Sequence, residues 1–196
     1  MYLFGASGHA KVIIDILRKS EVEITGLFDD NPNLNELYSF PVLGKYNGQQ
    51  LDKPLIISIG DNKIRQKISE KVKAFFGKAI YADAIISPSA FIDEGTVVMQ
   101  GAVIQASAQI GKHVIINTCA SVDHDCKIGN FAHISPQSSL CGNVEVGEGT
   151  HIGAGATVIP NIKIGKWCKI GAGAVVIRDI PDFVTVVGNP ARILKK

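Results

Sequence analysis

Branched aliphatic residues or leucine occupy every sixth position across the second half of the chain. This run has sixteen consecutive members, from Ile86 to Val176. The residue four places after each member is nearly always small or β-branched, from Ala90 to Ile180. An α-helix repeats about every 3.6 residues and a strand every two, so neither element alone presents one face at this period. The pattern instead predicts a β-solenoid in which both columns of residues point inward.

Three six-residue units complete one triangular coil of 18 residues. Each unit is expected to be a short strand followed by a corner, so residues 86–181 predict a little over five coils. Glycine follows the inward aliphatic residue in six units, where we expect it to supply unusual backbone angles at the corners. These glycines are Gly111, Gly129, Gly147, Gly153, Gly165 and Gly171.

The first 84 residues show a different pattern, in which short apolar runs alternate with amphipathic helical stretches. The predicted strands are 2–4, 24–28 and 55–59, and the predicted helices are 10–18 and 63–75. This alternation is typical of a parallel α/β sheet of the Rossmann-like, nucleotide-binding type. Nine of the 13 aromatic residues precede residue 84. The sequence therefore predicts an N-terminal domain of residues 1–84 and a solenoid domain of residues 85–196.

Three loops are expected at the carboxyl edge of this sheet. Residues 5–9 (Gly-Ala-Ser-Gly-His) lead into a helix N-terminus, whose bare N–H groups suit a phosphate, although such a turn is often only a turn. Asp29 and Asp30 follow the second strand, where an acidic residue commonly meets a ribose hydroxyl. A solvated turn is an equal alternative for this pair. Gly60-Asp61-Asn62 follows the third strand, so all three loops can contact one ligand.

Composition excludes several classes of protein. Twenty Lys and Arg residues against 18 Asp and Glu give a net charge of +2, spread evenly, so we expect no nucleic-acid partner. No apolar run approaches the roughly 18 residues of a membrane span, and the N-terminus does not resemble a secretory signal, which favours the cytoplasm. The four cysteines have neither CxxC nor zinc-type spacing, so we expect them to be reduced and no metal to be bound.

Five segments together resemble a known enzyme family. They are residues 5–12, 28–32, 59–62 with Arg65, 122–129 and 188–191. They are similar to the hexapeptide-repeat bacterial sugar acetyltransferases, which include sialic acid O-acetyltransferases and UDP-4-amino-sugar N-acetyltransferases. The resemblance implies a left-handed β-helix that binds acetyl-CoA, an N-terminal domain that binds a nucleotide sugar, and a homotrimer.

The same resemblance assigns the catalytic base to His124. An imidazole suits this role because its pKa lies near working pH. Asp125 or Asp123 is expected to hold the second ring nitrogen. Gly142 lies 18 residues after His124 and therefore in the next coil, where its N–H can donate to a developing oxyanion. The resemblance also places His133 in the acetyl-CoA site.

The nucleotide-sugar site is expected to draw on all three strand-end loops. Its candidate residues are Gly5, Ser7, Gly8, His9, Asp29, Asp30, Gly60, Asp61, Asn62 and Arg65.

The remaining histidines receive weaker predictions. His133 and His151 are 18 residues apart and should stack in one outward column, whereas His113 is expected on a solvated face. His124 and His133 are half a coil apart, so they should lie on different sides of the solenoid. If both serve one acetyl group, they must come from neighbouring subunits of a trimer.

The expected reaction is acetylation of the 4-amino group of a nucleotide-linked sugar. Acetylation of a hydroxyl on sialic acid or another sugar is the alternative. A zinc carbonic anhydrase built on a β-helix and a non-catalytic protein that binds sugar nucleotides are less favoured alternatives.

Overall fold

The computed structural model describes residues 1–194, and its N-terminal part is a small α/β unit. Its elements are β1 Tyr2–Phe4, α1 Gly8–Lys19, β2 Gly26–Phe28, β3 Glu36–Leu37, β4 Phe40–Pro41, β5 Leu55–Ile57 and α2 Asn62–Lys71. Strands β2, β1 and β5 form a parallel sheet in that order, and β3 and β4 form a hairpin. The carboxyl ends of the three parallel strands therefore meet at one edge.

Helix α2 is shorter than the sequence predicts. It ends at Lys71, and the backbone of Val72 is already extended. The following residues run beside β5, where the Leu55 N–H donates to the Phe75 carbonyl at 2.8 Å. This strand-like pairing explains why the predicted helix over 63–75 is wrong at its C-terminal end.

The second half is a parallel β-solenoid of about six turns with three faces. Face one contains Ile85–Ile86, Val103–Ile104, Ser121–Val122, Ser139–Leu140, Thr157–Val158 and Val175–Val176. Face two contains Phe91–Ile92, Gln109–Ile110, Lys127–Ile128, Glu145–Val146 and Lys163–Ile164. Face three contains Ala79–Ile80, Val97–Val98, Ile115–Ile116, His133–Ile134, His151–Ile152, Lys169–Ile170, Thr185–Val187 and, antiparallel at its end, Arg192–Ile193.

Successive coils stack in a strict 18-residue register over most of the solenoid. Val122 pairs with Leu140, for example, and Ile134 pairs with Ile152. The inward aliphatic and small residues form one continuous core. The predicted fold class, an α/β domain followed by a hexapeptide-repeat β-helix, is confirmed. The first solenoid strand, Ala79–Ile80, precedes the predicted division at residues 84 and 85, which stays a prediction.

The corners are formed differently from the sequence prediction. The left-handed backbone conformation occurs three residues after the inward aliphatic residue, as at Asp125 (φ 61°), Asn143 (φ 58°) and Gly155 (φ 65°). The six glycines that directly follow the aliphatic residue do not have positive φ. A Cβ on Gly147 would lie 2.5–2.6 Å from backbone atoms of Gly165 and Lys166 in the next coil. Close stacking of the coils, not a special angle, requires glycine there.

The N-terminal unit packs on face three. Outward-facing Val97, Met99 and Ile115 are buried and share a hydrophobic cluster with the apolar side of α1, including Ile13 and Leu17. The two parts of the chain therefore have a common apolar interface. Within residues 1–194, no helix has the length and apolar character needed to cross a membrane.

The stacking argument predicts a large loss of stability for one glycine substitution and almost none for another. Gly147→Ala should destabilise the fold by about 1–3 kcal/mol because its Cβ must displace backbone rather than a flexible side chain. Gly155→Asn should change stability by less than about 0.5 kcal/mol, since the space around its Cβ is open and asparagine adopts the same conformation at Asn143 and Asn161. Chemical denaturation measures both. Equal stabilities of the two variants would contradict the stacking account.

Candidate active site

His124 lies at the corner between faces one and two, with 59% of its side chain exposed. Its Nδ1 lies 2.9 Å from Asp125 Oδ2, and its backbone N–H donates to Asp123 Oδ1 at 2.8 Å. Because a carboxylate only accepts, this contact places the ring proton on Nδ1 and leaves the Nε2 lone pair free. The hydrogen bond to Asp125, followed by the charge of Asp123, raises the pKa of His124 above its ordinary value of 6.5. The pair has the geometry of a general base with its orienting carboxylate.

Gly142 lies directly against the His124 imidazole. A Cβ on Gly142 would be 2.6 Å from both Cε1 and Nε2 of the ring, so only glycine leaves the imidazole in this place. The Gly142 carbonyl accepts a hydrogen bond from the Asn161 N–H at 3.1 Å. In residues 1–194 its own N–H has no hydrogen-bond acceptor. A free backbone donor thus lies beside the free nitrogen of the candidate base.

His133 and His151 stack on face three, with ring centroids 4.7 Å apart. The Asn117 amide oxygen accepts from the Thr118 N–H, so its Nδ2 faces His133 Nε2 at 3.0 Å and donates to it. His133 Nδ1 is buried without a partner among the described residues. Burial, and then neighbouring His151, lower the pKa of His133 to about 3. Both histidine side chains are therefore neutral at neutral pH.

The first two strand-end loops meet at the carboxyl edge of the sheet, whereas Gly60, Asp61 and Asn62 of the third line a separate cavity, so contact of all three with one ligand stays a prediction. Both carboxylate oxygens of Asp29 accept hydrogen bonds from backbone N–H groups. Oδ2 accepts from the Ala6 N–H at 2.8 Å, and Oδ1 accepts from the Asn31 N–H at 2.9 Å. Asp29 therefore positions the glycine loop. Asp29, Asp30 and Gly5 line a pocket of about 540 Å³ together with Tyr46. We call this cavity the Tyr46 pocket.

The start of α1 beside this pocket is open. Ser7 is the N-cap and makes no side-chain capping bond, and both Ser7 and Gly8 are exposed. His9 belongs to the first turn of α1 rather than to the loop, and its Nε2 is buried without a partner in the described part of the chain. Burial, with a smaller contribution from Arg65, lowers the pKa of His9 to about 4. Phosphate binding by this region stays a prediction.

A second cavity of about 520 Å³ lies where the third loop meets the solenoid. Gly60, Asp61 and Lys63 form one wall, and His133 and Trp167 belong to the other. Asp61 also caps α2, since its Oδ1 accepts from the Ile64 N–H at 2.9 Å. We call this cavity the His133 pocket.

Two predicted residue roles disagree with the structure. Arg65 is 1% exposed and donates all five N–H groups to protein oxygens, which leaves none for a nucleotide. His113, expected on a solvated face, is 4% exposed and lies between Phe76 and Phe131. Burial lowers the pKa of His113 to about 4.

The structure places the candidate residues at three locations. Gly5, Asp29 and Asp30 line the Tyr46 pocket, and Gly60, Asp61, Asn62 and His133 line the His133 pocket. His124, Asp125 and Gly142 lie on another corner and line neither pocket. Sequence reasoning missed Tyr46, Lys63 and Trp167, because single polar or aromatic residues outside a motif carry no signal.

Comparison with known families agrees with the division into an N-terminal α/β unit and a solenoid. Residues 1–72 match the family described as the PglD N-terminal domain. Residues 125–159 and 143–178 match the bacterial transferase hexapeptide family of six repeats.

Solved structures match the whole chain. A perosamine N-acetyltransferase variant from Caulobacter crescentus, in complex with CoA and GDP-perosamine, is 39% identical over 100% of this chain and 96% of that one, with a TM-score of 0.94. The acetyltransferase domain of PglB from Neisseria gonorrhoeae is 38% identical over 98% of both chains, with a TM-score of 0.93. The chain belongs to the hexapeptide-repeat bacterial sugar acetyltransferase family. The resemblance inferred from the sequence motifs is thereby confirmed.

Matches of this chain to curated relatives are shorter. UDP-N-acetylbacillosamine N-acetyltransferase of Bacillus subtilis is 43% identical over 107 residues, which are 50% of this chain and 50% of the relative. An uncharacterised mimivirus protein is 37% identical over 101 residues, or 21% of its length. The chain thus matches half or less of the length of these relatives. In residues 1–194, no three His, Cys, Asp or Glu side chains are grouped to hold a metal ion.

The histidine environments predict distinct titrations. His124 should titrate above 6.5, whereas His113 and His133 should stay neutral down to about pH 4 and about pH 3. Asp125→Asn should lower the pKa of His124, because it removes the largest cause of the shift, and should leave His113 unchanged as an internal control. NMR titration of the imidazole protons measures these values. A His124 pKa below 6.5 in the wild-type protein would contradict the assigned pairing.

Proposed function

We propose that this chain transfers an acetyl group from acetyl-CoA to an amine of a nucleotide-linked sugar, with His124 as the general base. The observation that carries the proposal is the His124 imidazole, held through Nδ1 by Asp125 and lying against Gly142 with Nε2 free. No observation favours the carbonic anhydrase or the non-catalytic alternative.

The proposed reaction follows from the groups on this corner. The amine attacks the thioester carbonyl as Nε2 of His124 accepts its proton, and the carbonyl oxygen gains negative charge. The Gly142 N–H donates a hydrogen bond to this oxygen, and Asp125 stabilises the imidazolium. When the tetrahedral intermediate collapses, the carbon–sulfur bond breaks. The imidazolium proton then goes to the departing CoA thiolate, which regenerates the neutral base.

An amine is favoured over a hydroxyl as acceptor. The compared perosamine and bacillosamine enzymes are N-acetyltransferases by name. The Tyr46 pocket and the glycine loop are our candidates for the nucleotide and diphosphate. A screen of UDP-, GDP- and CMP-linked amino sugars that follows CoA release identifies the nucleotide carried by the acceptor sugar. We place the reaction in the cytoplasm, where acetyl-CoA and nucleotide sugars are made.

A homotrimer is the assembly that we propose. The N-terminal unit, which carries the candidate nucleotide-binding loops, packs against face three, while His124 lies at the corner between faces one and two. The sugar held by one chain therefore meets the His124 of a neighbouring chain, beside its own His133. Closed threefold symmetry gives three equivalent sites of this kind.

The base assignment predicts a loss of turnover without a loss of binding. His124→Ala should lower kcat by about 10²–10⁴-fold, because the proton acceptor is missing, with little change in the Kd of acetyl-CoA. Gln109→Ala, on face two, serves as a control with unchanged kcat. Free CoA release measures turnover. A His124→Ala variant that keeps more than about a tenth of wild-type kcat would refute the assignment.

The trimer predicts complementation between two defective variants. Gly8→Val should impair only the nucleotide site, since a Cβ at Gly8 meets no protein atom within 4 Å. Equal amounts of Gly8→Val and His124→Ala are mixed at a nucleotide-sugar concentration far below the raised KM. Each site needs an intact glycine loop from one chain and an intact His124 from its neighbour, and each of these is present in half of the chains. The mixture should therefore recover about a quarter of wild-type activity. Subunit exchange is verified with mass-tagged chains, and light scattering measures the assembly. Absence of recovery after exchange, or a fully active monomer, would contradict the shared site.

A further inference from the structure

Arg65 is a buried cation that joins the N-terminal unit to the solenoid. Its Nη1 donates to the carbonyls of Ile59 and Gly60, at 3.0 and 3.1 Å, at the end of the third parallel strand. Its Nε donates to the His113 carbonyl and its Nη2 to the Phe131 carbonyl, both at 2.8 Å. One side chain thus bonds both parts of the chain.

Asn62 extends this connection to a further coil. Its Oδ1 accepts the remaining Nη2 donor of Arg65 at 2.8 Å, and its Nδ2 donates to the Gly149 carbonyl at 3.1 Å. His113, Phe131 and Gly149 are 18 residues apart and occupy one corner in three successive coils, all with left-handed backbone. Their carbonyls take no part in the hydrogen bonds between coils. The two side chains therefore satisfy three outward carbonyls in a row.

Charge pairing does not explain the burial of Arg65. Among residues 1–194, no carboxylate lies within salt-bridge distance of its guanidinium. Burial lowers the pKa of Arg65 to about 10, so the group remains charged at neutral pH. A buried cation without a carboxylate partner lowers stability. The planar guanidinium has five donors in fixed directions, so it is suited to fixing the orientation of the N-terminal unit on the solenoid.

The side chains on this corner distinguish the observed docking position from its neighbours. His113 and Phe131 stack with ring centroids 5.2 Å apart and nearly parallel rings, and the Phe76 ring of the N-terminal unit is nearly perpendicular to His113 with centroids 4.5 Å apart. At Gly149, one coil further, the Trp167 ring occupies the place of a side chain, since a Cβ there would lie 2.3–2.4 Å from it. A shift by one coil would place Phe76 opposite Phe131 or Gly95 in place of His113, so successive heights on this corner are not equivalent.

We propose that Arg65 and Asn62 are positioning residues that hold the Gly60–Asp61 loop at the height of the coil carrying His124, Phe131 and His133. This inference rests on the proposed function. We call Arg65 and Asn62 together the Arg65 latch. In a threefold assembly, that coil lies at the same height in every subunit. The Arg65 latch therefore sets where the sugar amine lies relative to the acetyl group. The pair acts through the loop and does not contact the reacting atoms.

The test separates positioning from binding. Arg65→Met keeps the length of the side chain and removes every donor, and it should lower kcat by about 10–10²-fold through misplacement of the bound sugar. The KM for acetyl-CoA should change by less than about twofold. Glu70→Gln, on the exposed side of the same helix, is the matched control with unchanged kinetics. Guanidinium at millimolar concentration should restore part of the kcat of Arg65→Ala, and should restore none in His124→Ala.

Unchanged kcat in a folded Arg65→Met variant would overturn the proposal, as would failure of guanidinium to restore Arg65→Ala. Should the Arg65 variants not fold, Asn62→Leu breaks the contact with Gly149, and unchanged kcat there overturns the proposal. Absence of acetyl transfer by the wild-type protein would refute the proposed function instead. In that case hydrogen exchange at residues 59–65 tests the positioning role. Exchange there should be faster in Arg65→Met than in wild type while exchange in the solenoid is unaffected. Equal exchange in the two proteins would overturn the proposal.

Discussion

Backbone hydrogen bonds between successive coils determine where the functional groups of the solenoid lie. They fix a register in which each outward residue stands against the residue 18 positions later, as Ser121 stands against Ser139. The same register puts the His124 ring on Gly142, stacks His133 on His151, and aligns the carbonyls that Arg65 and Asn62 bind. Because these glycine and histidine residues are placed by backbone that cannot slide, this part of the site needs no mobile loop for its arrangement.

This rigidity also separates the two halves of the chemistry. The N-terminal unit is attached to face three by the apolar side of α1 and by the Arg65 latch, whereas the candidate base lies at a different corner. A single solenoid cannot bend to bring them together. The proposed assembly of identical chains resolves this separation, because one interface then completes every site. Under this proposal the cost of burying Arg65 without a carboxylate is understandable, since the orientation between the two parts decides whether a shared site works.

The sequence predicted most reliably what depends on the repeat. The aliphatic column predicts the solenoid, and counting by 18 predicts Gly142 beside His124 and His151 beside His133. Predictions from the sequence were wrong where a tertiary contact decides the environment of a residue. His113 looked solvated because its position is outward, yet Phe76 from the other unit covers it. Arg65 looked like a ligand residue because it belongs to the motif, yet oxygens of the N-terminal unit and outward carbonyls of the solenoid take all its donors. The predicted role of the corner glycines was wrong, because their spacing cannot distinguish a need for positive φ from a close approach of the backbone in the next coil.

The central claim is that this site forms an amide. The most direct measurement is to incubate the protein with acetyl-CoA and a nucleotide-linked 4-amino sugar, and to weigh the product by mass spectrometry before and after neutral hydroxylamine. An amide survives this reagent and an ester does not. The account predicts a sugar nucleotide heavier by one acetyl group that hydroxylamine leaves intact. A product from which hydroxylamine removes the acetyl group, or an unacetylated sugar beside unconsumed acetyl-CoA, would contradict it.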